Sequence, residues 1–207
     1  MKSLVFNEDC MQGMKQYPDK YFDLAVVDPP YGINININMG RKKGKAKKFT
    51  EHFYDNDMEI PNQYYFKELF RISKNQIIWG GNYMIENLYK SSCWLVWDKG
   101  FPEKLSFAQV ELAWTSFKTS SKKFFYSSKK QNKTHPTQKP IELYEWIYLK
   151  YLPMGGKVID THLGSGTNRI AADKCKNIEF IGYELSKYYY DIQNKNWNNY
   201  KKQTKLF

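Results

Sequence analysis

K-V-I-D-T-H-L-G-S-G-T-N-R-I, residues 157–170, runs three apolar-leaning positions into Asp160 and then into a glycine pair, Gly164 and Gly166, ahead of a helix-forming stretch. Lys157 to Ile159 reads as a short buried strand. The two glycines permit a tight turn and close backbone approach to a ligand. Thr167 then opens a helix whose first amides are free to receive polar groups. A second strand, Ile178 to Tyr183, ends in Glu184, 18 residues beyond Gly166. Strand, Gly-x-Gly turn, helix and acid-ended strand form the arrangement that holds a nucleoside, with its ribose hydroxyls on the acid. The turn falls short of a full G-x-G-x-x-G, because Asn168 and Arg169 lead to Ile170, so a single nucleoside is expected rather than a dinucleotide. A glycine turn that serves only close packing is the alternative.

Elsewhere in the chain five more runs read as strands: Ser3 to Phe6, Asp23 to Val27, Gln76 to Trp79, Cys93 to Trp97 and Gln109 to Trp114. Helical patterns cover Asn62 to Ile72, Tyr83 to Lys90, Ile141 to Tyr151, Asn168 to Lys176 and Lys187 to Asn198. The alternation predicts an α/β fold, a mostly parallel sheet of about seven strands with helices on both faces. Between residues 93 and 114 two strands are joined by K-G-F-P-E-K, which leaves no room for a helix and implies one antiparallel pair. At 207 residues the chain suits a single domain that buries about 70% of its unfolded surface. The I-N-I-N-I-N stretch from Ile33 to Asn38 is read as loop.

Four strands end in or near an acid: Asp9, Asp28, Asp160 and Glu184. In a parallel sheet these ends share the edge where open α/β folds bind ligands. Asp28 opens D-P-P-Y. Pro29 and Pro30 lack amide protons and fix φ, so the chain leaves the sheet there. Asp28 and the Pro29 carbonyl together accept two hydrogen bonds, matching an exocyclic amine, and Tyr31 can stack on the ring that carries it. The competing reading is a stiff turn closing a strand.

The net charge is +11, with 32 Lys and Arg against 21 Asp and Glu. Arg41, Lys42, Lys43, Lys45, Lys47 and Lys48 form one acid-free segment, and Lys118, Lys122, Lys123, Lys129, Lys130 and Lys133 another; without these twelve the chain is nearly neutral. Two exposed loops, about residues 33–58 and 115–134, are therefore expected to contact a polyanion, most simply nucleic-acid phosphates. Cys10, Cys93 and Cys175 are odd in number and lack C-x-x-C spacing, which fits core residues rather than a disulfide scaffold. His52, His135 and His162 lack metal-ligand spacing, and no metal is expected. The N-terminus does not resemble a signal peptide and no apolar run approaches about 20 residues, so a cytoplasmic protein without a membrane span is expected.

Eight segments, in order, resemble the amino-group DNA methyltransferases that use S-adenosylmethionine: N-E-D-C at 7–10, V-D-P-P-Y-G at 27–32, I-I-W-G-G-N-Y at 77–83, L-V-W-D-K at 95–99, E-L-A-W at 111–114, H-P-T-Q-K-P at 135–140, D-T-H-L-G-S-G-T at 160–167 and G-Y-E at 182–184. With D-P-P-Y before the glycine turn, the order is similar to the beta class. That is a circular permutation in which the C-terminal G-Y-E unit adjoins the N-terminal N-E-D-C unit. The resemblance implies a Rossmann-like methyltransferase fold and S-adenosyl-L-methionine as cofactor. Gly164, Ser165, Gly166 and Thr167 would cradle its methionine part above Asp160, Glu184 would bind the ribose, Asp9 and the Cys10 backbone the adenine edge, and His135 and Thr137 would close the methionine end. Where the family has Pro-Phe after the acid, this chain has Thr161 and His162; His162 is expected as a packing ring rather than a base. H-P-T-Q-K-P is also a helix start, with Pro140 at its first position.

The resemblance implies double-stranded DNA as partner, a flipped base, and Asp28, Pro29, Pro30 and Tyr31 as the catalytic set. It links D-P-P-Y with adenine N6 and an S-P-P-Y version with cytosine N4, so adenine is expected, and it is compatible with a homodimer. A cytosine N4 enzyme, a DNA-binding relative without activity and a protein-amide methyltransferase stay open as alternatives. Only 20 residues separate Trp114 from His135, too few for a separate recognition domain. The expected recognition sequence is therefore short or relaxed, read by residues 33–58 and 115–134.

Overall fold

The computed structural model describes residues 2–33, 59–104, 108–127 and 138–203. Arg41, Lys42, Lys43, Lys45, Lys47, Lys48, Lys129, Lys130, His135 and Thr137 lie outside the described residues. Eight strands and five α-helices are described: β1 Ser3–Phe6, α1 Cys10–Met14, β2 Phe22–Val27, α2 Gln63–Ile72, β3 Ser73–Trp79, β4 Trp94–Asp98, β5 Val110–Thr115, β6 Lys122–Phe125, α3 Ile141–Tyr151, β7 Gly156–Asp160, α4 Thr167–Lys174, β8 Ile178–Tyr183 and α5 Lys187–Gln203. They form one sheet in the order β1-β8-β7-β2-β3-β5-β4-β6. The sheet is mostly parallel, and β5 alone runs against its neighbours β3 and β4. The expected pair across K-G-F-P-E-K is β4 and β5.

β2 sits near the middle of the sheet and is apolar on both faces, as a central parallel strand requires. Leu24 and Val26 enter one core with Leu143, Ile147 and Tyr148 of α3 and Ala171 and Ala172 of α4. Ala25 and Val27 enter the other with Met14 of α1 and Phe66, Leu69 and Ile72 of α2. Helices thus cover both faces. Asn62 starts α2 by accepting from the Tyr64 and Tyr65 amides at 3.0 and 3.2 Å, the usual role of an N-cap side chain. Arg71 ties α2 to α1 by donating to the Tyr17 and Met14 carbonyls.

Three details differ from expectation. Tyr83 to Lys90 is not a helix: two short 3-10 turns, Gly81–Tyr83 and Ile85–Asn87, stand there instead, separated by Met84, whose φ of -124° leaves helical geometry. The five-residue α1 is additional, begun by Asp9 accepting from the Met11 amide at 2.8 Å. The sheet has eight strands, not seven, because part of the expected second basic loop, Lys122 to Phe125, pairs in parallel with β4. The charge of that segment masks its period-2 burial, in which Lys122 and Phe124 are half-buried while Lys123 and Phe125 are exposed.

Candidate active site

The four acid-ended strands are the four neighbours β1-β8-β7-β2, all parallel, so Asp9, Glu184, Asp160 and Asp28 follow one another along one sheet edge. The chain ends meet here: the Glu184 amide donates to the Phe6 carbonyl at 3.0 Å, and Asn7 Nδ2 donates to the Glu184 carbonyl at 2.8 Å. The Glu184 carboxylate accepts from the Gly164 amide at 2.8 Å and the Ser186 amide at 2.9 Å. One oxygen therefore latches the glycine turn, and both keep lone pairs for further donors.

Asp160 is 2% exposed. It accepts from the His162 amide at 3.0 Å and from Asn168 Nδ2 at 2.8 Å. Asn168 also donates to the Val26 carbonyl of β2 and accepts from the Tyr148 hydroxyl, which locks α4, β2 and α3 around the acid. Burial pushes the Asp160 carboxyl up to about 7 despite these two donors, and Asp28 and Glu184 add to the rise. Burial also raises Glu184, against the Ser186 and Gly164 amides. Gly166 caps α4 at φ +80°. A Cβ there would lie 2.9 Å from Gln193 of α5, so this glycine is required by backbone conformation and by helix packing together. Ser165 and Thr167 are buried beside it.

The donor set fits the nucleoside cofactor suggested by the sequence. Two carboxylates held only by neutral donors flank a turn of glycines at the strand edge, which suits a ligand that brings hydroxyls and positive charge. Burial drives His162 down to about 4, so its ring is neutral near pH 7. Its Nδ1 pairs with Thr161 Oγ1 at 2.9 Å, which in turn pairs with the Tyr65 hydroxyl at 2.7 Å. His162 also meets the Tyr65 ring edge-on, which places it as a packed ring. Burial, with Asp9 adding, pushes the Cys10 thiol up to about 12, so its side chain stays neutral.

On the other side of β2, Pro29 is buried and Asp28 and Pro30 half-buried. Asp28 Oδ1 accepts from the Tyr31 hydroxyl at 2.6 Å, and Oδ2 is ion-paired with Lys139. Tyr31 stacks on Tyr83 at 5.5 Å between ring centres. Its ring also rests on Gly80, where a Cβ would lie 2.2 Å from it, so W-G-G supplies the floor of the tyrosine pocket. Lys139 Nζ reaches the Tyr31 hydroxyl at 3.1 Å and Glu111 Oε2 at 3.2 Å, and Glu111 Oε1 pairs with Lys99 at 2.6 Å. Sequence reasoning alone does not single out Lys139, Glu111 and Lys99 as site residues. The available signal is a charged residue at the end of L-V-W-D-K, at the start of E-L-A-W and directly before the last proline of H-P-T-Q-K-P, the first two beside or within apolar strands. Pro140 is the N-cap of α3, one place before its first residue Ile141 rather than at the first position, so the segment is a helix start as expected, and it is this start that carries Lys139 to the sheet edge.

Of the expected DNA contacts within the described residues, Lys122 and Lys123 stand on edge strand β6. Lys122 donates to Ser120 at 3.1 Å, and Lys123 is 66% exposed and 3.5 Å from Asp98.

Solved structures share this architecture. The complex of M1.HpyAVI with SAM superimposes with a TM-score of 0.61 at 18% identity, over 95% of this chain and 100% of that one. A putative DNA modification methylase from Thermus thermophilus, complexed with S-adenosyl-L-methionine, gives 0.58 at 14% identity, over 97% and 96%. PvuII DNA methyltransferase, cytosine-N4-specific, gives 0.63 at 12% identity, over 94% and 86%. At such identities the likeness speaks for the fold. Residues 62–195, well over half the chain and including α2, the antiparallel strands, the glycine turn and Glu184, match the DNA methylase model that covers N6 and N4 enzymes. With the acid-ended strands, the glycine turn and the D-P-P-Y corner at one edge, the chain belongs to the N6/N4 DNA methylase family.

Proposed function

We propose that the protein transfers a methyl group from S-adenosyl-L-methionine to the exocyclic N6 amine of adenine in double-stranded DNA, after the base has left the helical stack. The observation that carries this is adjacency. β2 and β7 are paired neighbours, Ala25 beside Ile159, so the amine acceptor Asp28 and the glycine turn after Asp160 stand side by side at the ends of adjacent parallel strands. When bound, S-adenosyl-L-methionine supplies an electrophilic methyl group. Glu184 receives the ribose hydroxyls, Asp9 and the Cys10 backbone hold the adenine edge, and residues 164–167 hold the methionine end.

An aromatic amine is a poor nucleophile because its lone pair is delocalised into the ring. Asp28 and the Pro29 carbonyl accept hydrogen bonds from its two N–H groups and favour a nitrogen whose lone pair is aimed out of the ring plane. Positioning and electrostatic preorganisation of this kind supply most of the rate. Tyr31 offers its ring to the flipped base in place of lost stacking. Lys122, Lys123 and the basic segments hold phosphates. The preference for adenine rests on an aspartate, rather than a serine, before P-P-Y. A short or relaxed recognition sequence, read by residues 33–58 and 115–134, follows from the lack of room for a recognition domain.

Incubating unmethylated duplex with labelled cofactor, digesting it and identifying the modified nucleoside tests the reading. N6-methyladenine is expected. N4-methylcytosine would overturn the base assignment, and absence of label with intact cofactor binding would leave a silent DNA-binding relative. Single-molecule sequencing of DNA from expressing cells is expected to show short or degenerate modified sites; one long, strict site would overturn the recognition reading.

A further inference from the structure

Lys139 is an unusual lysine: its side chain is 1% exposed and it faces two carboxylates at once, Asp28 and Glu111. The indole of Trp79 lies 5.2 Å from its ammonium. Glu111 is itself tied to Lys99 at 2.6 Å. Four full charges, two of each sign, thus alternate as Asp28, Lys139, Glu111 and Lys99 through a mostly dry region. They are drawn from the D-P-P-Y corner, the start of α3, β5 and the end of β4. A buried ammonium is retained only where its partners offset its desolvation, and Lys139 has both a partner at the reacting end and an anchor behind it.

We propose that Lys139, tethered by Glu111, is a positioning residue for methyl transfer: its ammonium is the counter-ion that fixes the Asp28 carboxylate for the incoming amine. This rests on the function proposed above. The groups facing Asp28 are Tyr31 from its own corner, Lys139 and Tyr144 from the α3 side, Glu111 from β5, Asp160 from β7 and Tyr65 from α2. Lys139 is the one cation among these groups. Burial raises the Asp28 carboxyl, Glu111 adds to the rise, and Lys139 opposes both. Without the ammonium, Asp28 takes up a proton at higher pH and then donates where it must accept.

The test reads Asp28 directly and does not need turnover. In protein labelled at the aspartate carboxyl carbons, with Asp28→Asn to assign the signal, the Asp28 midpoint is followed by NMR in wild type, Lys139→Met and Glu111→Gln. Lys139→Met is expected to move the midpoint up by about 1–3 pH units, the range for loss of a close opposite charge. Glu111→Gln is expected to move it down, since it removes the like charge and keeps the ammonium, and it serves alone if Lys139→Met does not fold. A midpoint unchanged in the variants that fold overturns the inference. In the methyl-transfer assay, Lys139→Met is expected to lose kcat at pH 7 with cofactor affinity kept and to regain it toward alkaline pH; a uniform loss at every pH overturns the positioning role. Absence of transfer by wild type would reject the proposed function, while the carboxyl titration still decides the counter-ion role.

Discussion

Glu184 and Glu111 are the same residue type on the same sheet and are driven in opposite directions. Burial raises Glu184 because only backbone amides oppose it. Burial would raise Glu111 as well, but Lys139 and Lys99 outweigh it and hold the carboxyl at about 2. Asp160, with amide donors alone, lies at about 7. Dipoles offset only part of the cost of desolvating a carboxylate, whereas a close full charge reverses it. The β8–β7 half of the site is therefore left short of positive charge and suited to a ligand that brings it. The half beyond β2 is already neutralised from within, as the role proposed for it, receiving an uncharged amine, requires.

The largest effect expected is at the boundary between the two halves. Asp28→Ala should reduce methyl transfer by at least about 10³-fold, the scale of losing a key electrostatic contact to the reacting group, while calorimetry shows cofactor binding retained. Normal turnover would remove Asp28 from the mechanism. The second separates the halves by pH. Asp160 has its titration raised from 3.8 to about 7, so the stability it contributes is complete below pH 3.8 and is lost as pH rises through 7. Glu111, lowered from 4.5 to about 2, contributes stability above pH 4.5 that is lost only as pH falls toward 2. Between pH 5.5 and 8 Asp160 alone costs roughly 2 kcal/mol, while His162, lowered from 6.5 to about 4, returns about 1.4 kcal/mol; ligand-free protein should thus melt slightly lower at pH 8 than at pH 5.5, and Asp160→Asn should reverse the order. Hydrogen-exchange protection should fall around residues 160–168 and hold in β4 and β5; loss confined to β4 and β5 would contradict the comparison.

Two glycines extend it at smaller magnitude. Gly80→Ala and Gly166→Ala each place a side chain at positive φ, a cost of about 1–2 kcal/mol measurable by chemical denaturation. Gly80→Ala should also displace Tyr31 and depress kcat, whereas Gly166→Ala disturbs Gln193 and should weaken cofactor binding instead. Exchange of these two phenotypes would break the assignment of the halves. The smallest effect is at the sheet edge. Lys123→Ser should change stability by less than about 0.5 kcal/mol, since its pair with Asp98 is long and exposed, yet reduce the salt dependence of DNA affinity.

Much of the first half is legible because its signals are local. The acid after K-V-I, the glycines, and Glu184 after I-E-F-I-G-Y stand where strand period and turn chemistry place them. The resemblance to a permuted enzyme anticipates the meeting of β8 with β1. The second half is legible only as far as D-P-P-Y. Lys139 reads as part of a helix start, which it is, and Glu111 as a residue of a strand, which it is. Neither description says that they meet. Lys122 and Lys123 read as loop because charge hides the half-burial of an edge strand.

The α/β alternation, the antiparallel pair across K-G-F-P-E-K and the four acids at strand ends can be read from consecutive residues. Hydrophobic period, proline and glycine act over a few residues and are written in consecutive letters. Which charges neutralise one another depends instead on how the elements pack. Lys139 reaches Asp28 across 111 positions of chain and Glu111 across the β5 edge, and such a contact depends on strand order and on where α3 begins. The energy of a buried charge is set by what lies within a few ångströms of it, which adjacency in sequence does not report.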